Sequence, residues 1–103
     1  MIKVNYQKKD NQIKNIKING HANYGSLGKD IVCASVSSIV ITTINGILKI
    51  DNESIKYHEN DSLVIENLKF DEITNKLLNN MLNLLEELES DYPKNIKIRE
   101  EEQ

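Results

Sequence analysis

Residues 31–48 hold no charged side chain over 18 consecutive positions. That is the lower limit for a membrane-spanning helix. Polar residues interrupt it, however: Ser35, Ser37, Ser38, Thr42, Thr43 and Asn45. The apolar positions, from Ile31 and Val32 through Val36, Val40 and Ile44 to Leu48, fall on more than one face of a 3.6-residue helix. A helix apolar on most sides has to be covered on most sides. The β-branched content would also suit a strand, but strands usually end by about ten residues. The spacing therefore predicts a buried helix at the centre of a soluble, cytosolic domain with no membrane partner.

The flanking segments read as strands and one further helix. Ile2, Val4 and Tyr6 alternate with polar residues, as in a half-buried strand, and Lys9-Asp10-Asn11 signals a turn. Ile16 and Ile18 alternate on the return, but Ile13 falls on the opposite parity, which a bulge near Lys14 or Asn15 would reconcile. Residues 20–29, with Gly20, Gly25 and Gly28, read as a loop. A second hairpin begins at Ile55 and Tyr57, turns at Glu59-Asn60-Asp61 and returns through Leu63, Val64 and Ile65. Over 71–90, a stripe of Ile73, Leu77, Met81, Leu84 and Leu88 is widened by Leu78, Leu82 and Leu85. It predicts an amphipathic helix capped by Asp71 and stopped before Pro93. Ile96 and Ile98 mark a last short strand. At 103 residues, the whole of 1–103 reads as one domain. The expected fold class is α+β: a largely antiparallel sheet with two helices, in the order ββαββαβ.

Composition removes several functions. A single cysteine excludes an intrachain disulfide framework and a thiolate metal cluster. No CxxC or HxxxH spacing occurs, and the glycines of 20–28 lack the GxxxxGK spacing, so neither a metal nor a cofactor is expected. Lys plus Arg number 13 against 16 for Asp plus Glu, a net charge of −3. That balance argues against strong non-specific nucleic-acid binding, and no direct nucleic-acid contact is expected. The lysines nevertheless gather early, at Lys3, Lys8, Lys9, Lys14 and Lys17, while the acids gather towards the end. The early lysines also interrupt any apolar run, which predicts no signal peptide.

The one cysteine and the histidine before it carry the candidate chemistry. If the central helix starts between Gly28 and Asp30, Cys33 lies in or beside its first turn. Unpaired N–H groups and the helix dipole there favour a thiolate, and Lys29 would add to the effect. An imidazole at His21 would take the thiol proton and later protonate a leaving amine. N–H groups at the helix start would serve as oxyanion donors. Plainer readings stand beside these. A lone cysteine in an apolar segment packs as a small hydrophobe, and a loop histidine faces solvent. Asp30 either caps the helix or orients His21; capping is the commoner use, and a carboxylate near Cys33 would oppose thiolate formation. Ser37, one turn after Cys33, either faces the same site or bonds its own helix backbone. His58, at the second hairpin's turn, reads as exposed.

The run Gly20-His21-Ala22, then Tyr24-Gly25, then Gly28-Lys29-Asp30-Ile31-Val32-Cys33-Ala34-Ser35-Val36-Ser37 resembles the signature of the ribosomal-processing cysteine protease Prp family. The likeness extends to chain length and element order; Ser35 stands where alanine is expected in many members. The resemblance implies a bacterial cysteine endopeptidase. Its substrate would be the precursor of large-subunit ribosomal protein number twenty-seven, whose N-terminal extension it removes in support of ribosome assembly. Carried to these positions, it makes Cys33 the nucleophile and His21 the proton donor and acceptor, with Asp30 in a role left open. It also implies a homodimer, which the charge-free helix suits, and an apolar groove near 20–29 for the extension's apolar aromatic end. Two other functions share features of this sequence. One is a non-enzymatic dimeric module whose basic N-terminal hairpin contacts ribosomal RNA. The other is a Cys–His thioesterase or acyltransferase.

Overall fold

The chain folds as strands β1 (Ile2–Lys9) and β2 (Gln12–Asn19), helix α1 (Leu27–Ile50), strands β3 (Ile55–Glu59) and β4 (Leu63–Asn67), helix α2 (Glu72–Asp91) and strand β5 (Ile96–Glu100). The computed structural model describes residues 1–20 and 27–102, and the side chains of these apart from 27–30. The order is ββαββαβ in one domain, as expected. The sheet runs β3-β4-β2-β1-β5. Pairs β1–β2, β2–β4 and β3–β4 are antiparallel, and β1–β5 is parallel. The parallel pair arises because α2 carries the chain back across the domain, so that β5 starts at the end where β1 starts.

Alternation fixes the two sheet faces. Ile2, Val4, Ile16, Ile18, Leu63, Ile65 and Ile96 are buried on one face, and both helices pack over it. The register passes from Gln7↔Asn15 to Lys8↔Ile13, which leaves Lys14 as the extra residue of a bulge. The bulge puts Ile13 on the core side, where it is fully buried. Asp10 and Asn11, both at positive φ, close the hairpin in two residues, a conformation Asp and Asn tolerate. β4 pairs with β2 only over Asn15–Ile18. Beyond that ladder, side chains take over the backbone of Ile13: its N–H donates to Asn75 Oδ1 at 3.2 Å, and its carbonyl accepts from Asn67 Nδ2 at 2.9 Å.

The helices meet their expectations unequally. Asp71 caps α2, accepting the Thr74 N–H at 2.8 Å, and the helix ends two residues before Pro93. Its buried face is Thr74, Leu78, Met81, Leu82 and Leu85. The stripe is therefore rotated from the expected one: Ile73 is 54% exposed and Leu84 40%. Periodicity alone cannot rank neighbouring apolar rows; contact with the sheet selects the row centred on Leu78, Met81 and Leu85. α1 also departs from expectation. Val32, Cys33, Val36, Val40, Ile44 and Ile47 form its buried row, while Ile31 and Ile41 are 56% and 55% exposed. One sheet and one helix cover it on one side rather than on most. By length and composition Ile31–Ile50 would suffice to cross a membrane, yet its inner row lies in the core.

Candidate active site

Cys33 is the seventh residue of α1, in the second turn, because the helix begins at Leu27. The expected position was in or beside the first turn. At about 1.5 Å of rise per residue, Cys33 lies about 9 Å along the axis from the helix start. The unpaired N–H groups belong to that start, and the dipole effect falls off within the first turn. Helix-start activation and helix-start oxyanion donors therefore serve Cys33 less directly than its sequence neighbourhood suggests. Asp30 is already the fourth helical residue and so is not the N-cap; its side chain lies outside the described residues. The helix starts at Leu27, one residue before the Gly28–Asp30 range in which the sequence places it, and that puts Asp30 inside the first turn. His21 lies outside the described residues, as does the apolar groove expected around 20–29.

The cysteine itself is only 4% exposed, and it lines a cleft of about 190 Å³. The other walls are Val32 from α1, Met1 before β1 and Ile2 at its start, Gly20 after β2, and Lys94 and Asn95 before β5. These positions are distant in sequence and meet because β1 and β5 pair in parallel, Ile2 beside Ile96. The junction is tightly bonded. The Ile2 N–H donates to the Asn95 carbonyl at 2.9 Å, and the Asn95 N–H donates to the Tyr92 carbonyl at 2.9 Å. Gly20 has φ +82°, and a Cβ there would lie 2.6 Å from the Met1 carbonyl oxygen. Only glycine fits this point, immediately before His21. The sequence reading missed Met1, Lys94 and Asn95 as neighbours of Cys33. No local pattern marks them, since only strand pairing brings them there.

Other serines and clefts are set apart from this one. Ser35 donates to the Ile31 carbonyl at 2.9 Å, so its hydroxyl serves the helix backbone. Ser37 lines a separate small cavity with Ile18, Val36 and Leu63 and is not at the Cys33 cleft. His58 is exposed on β3. A larger cleft at the far end of α1 holds Asp51, Ser54 and Asp71. There Lys69 Nζ sits 2.7 Å from Asp51 Oδ2 and holds that carboxyl below its usual range. Among the described residues no group of three His, Cys, Asp or Glu is arranged to hold a metal ion.

What the Cys33 cleft offers chemically is a thiol at the floor of a bonded recess, beside a half-buried carboxamide and an exposed ammonium. Comparisons with known proteins bear on that arrangement. Residues 1–97 match the protein family described as cysteine protease Prp. A ribosomal processing cysteine protease Prp of Staphylococcus aureus is 27% identical over 93 residues, covering 86% of this chain and 88% of its own. The crystal structure of the essential ribosomal processing protease Prp from S. aureus with a substrate peptide superposes with a TM-score of 0.91 at 25% identity, covering 98% of this chain and 100% of that one. The same protease with a covalently linked product peptide gives 0.88 at 26% identity, with the same coverage.

Proposed function

The chain belongs to the cysteine protease Prp family and is a cysteine protease, and from that premise we propose that it removes the N-terminal extension of large-subunit ribosomal protein number twenty-seven. The observation that carries the reading is the position of the chain's sole cysteine, a buried member of the core cluster that also lines the cleft between Met1, Gly20 and Asn95. Cys33 thiolate attacks the scissile carbonyl, forming a tetrahedral oxyanion. Collapse expels the amine of the mature protein, which takes a proton from His21. Water, deprotonated by His21, then attacks the thioester, and the extension leaves as a carboxylic acid while Cys33 is regenerated. The S. aureus relative with its covalently linked product peptide supports an acyl-enzyme route.

The oxyanion needs donors, and the helix start is more than a turn away from Cys33. Asn95 supplies one. Its backbone is held at both its N–H and its carbonyl, while its side-chain amide makes no hydrogen bond among the described residues. The held backbone places this amide donor at the cleft. Replacing an oxyanion donor costs roughly 10²–10³ in kcat. Steady-state kinetics of Asn95→Ala should show that fall with KM nearly unchanged; a rise in KM alone would assign Asn95 to ground-state binding instead.

The enzyme works as a cytoplasmic homodimer. The uncharged outer row of α1, with Ile31 and Ile41 exposed, supports that assembly. The overall reading is tested by incubating the enzyme with the extended ribosomal protein and measuring intact mass. Loss of the N-terminal segment is expected. An unchanged precursor, with hydrolysis of acyl thioesters, would turn the reading towards the thioesterase.

A further inference from the structure

The sheet face opposite the helices gathers five cations of an acidic chain around a single acid. Strand register places the side chains. Lys3 stands beside Lys97, and Asn5 stands between Arg99 and Lys17. Further across, Lys56 is opposite Glu66 and His58 is opposite Val64. Lys3, Lys17, Lys56, Lys97 and Arg99 are all exposed, and among the described residues none of them forms an ion pair. Glu66 is the one acid within these strands on that face. Other acids lie off this face: Glu100 on the core-side parity of β5 with Glu101 and Glu102 after it, and Glu72, Glu86, Glu87 and Asp91 on exposed positions of α2. A net charge of −3 therefore conceals a separation of charge between two faces.

Lys3 beside Lys97 is a like-charge pair on adjacent strands, an arrangement that costs stability on its own. It becomes favourable when a polyanion bridges the two. Between the cations stand amides: Asn5, Gln7, Asn15 and Asn19. Amides can donate to and accept from sugar hydroxyls and base edges. The face has no exposed apolar side chain to enter a bilayer, since Val64 is half-buried. The cations extend from β3 to β5, four inter-strand gaps of about 4.8 Å each, or roughly 19 Å. That width meets several phosphates at once.

We infer that the open face of the sheet binds structured RNA through Lys3, Lys17, Lys56, Lys97 and Arg99. This departs from the expectation, drawn from net charge, of no direct nucleic-acid contact. The RNA face and the Cys33 cleft are separate, so the enzyme can engage RNA and a peptide together. For a protease acting on a ribosomal protein, such a face would hold it where RNA and substrate occur together. The inference does not require the proposed substrate.

The test uses the full chain and a fluorescent RNA hairpin, followed by anisotropy between about 50 and 200 mM salt, where phosphate contacts weaken measurably. With four to five phosphates neutralised, log K against log salt should fall with a slope of about −3 to −4. The variant Lys17→Gln/Lys97→Gln/Arg99→Gln should lower that slope by about 2 to 3 and weaken low-salt binding at least tenfold. Its circular dichroism and peptide cleavage should match wild type, which separates this result from failure of the protease reading. Glu86→Gln/Glu87→Gln should leave the slope unchanged. The inference is overturned if wild type does not bind the hairpin at low salt, or if the triple variant binds equally well. It is overturned too if phosphatidylserine vesicles bind the protein and RNA does not.

Discussion

α2 has an apolar row against the sheet, charged residues outside, an aspartate cap at one end and a proline past the other. α1, packed beside it, has no charge from Ile31 to Leu48, exposed isoleucines on its outer row and a start that no capping residue in its described portion marks. α2 is held by features that its own residues display, and its task is to cover the core. α1 is held by what packs around it, and it carries Cys33. A helix whose polarity is committed to solubility has little freedom left for a site. One without charge over most of its length keeps an inner row that lines both core and cleft and an outer row on which isoleucines stand exposed.

Three substitutions probe that contrast. Met81→Ala in α2 removes a fully buried side chain and should cost about 2–5 kcal/mol, read as a lower urea midpoint with unchanged slope. A cost below that range would mean that α2 covers the core less tightly than its burial indicates. Asp71→Ala should cost about 1 kcal/mol, since Thr74 loses its acceptor. Ile41→Asp, on the exposed row of α1, should change monomer stability by no more than about 0.5 kcal/mol. It should nonetheless shift sedimentation from dimer to monomer. If Ile41→Asp leaves the dimer intact, the outer row of α1 is not the assembly face.

The same contrast explains what the sequence made legible. Alternation of Ile2, Val4, Ile16 and Ile18 marked two strands, and the misplaced parity of Ile13 called for a bulge near Lys14 or Asn15, which the register places at Lys14. Asp71 and Pro93 bounded α2, because caps and stops are local chemistry. The start of α1 lies at Leu27, one residue ahead of the range Gly28–Asp30 that the sequence suggested, because the change in apolar pattern marks a helix end only to within a few residues. Cys33 stood out as a candidate through its neighbours in sequence. Asn95 and Met1 did not, because they reach the cleft only through the parallel pairing of β5 with β1. The basic face was hidden in the same way: Lys97 and Arg99 join Lys3 and Lys17 only when the sheet assembles, and net charge averages them away.

The central claim is that Cys33 is the nucleophile, and an acid-quenched reaction tests it most directly. The enzyme is mixed with a peptide spanning the processing site, quenched early, digested and mapped by mass. The expected result is the extension's acyl group joined as a thioester to the fragment containing Cys33, with no adduct and no cleavage in Cys33→Ser. Cleavage by Cys33→Ser, or an acyl group on any other residue, would contradict it.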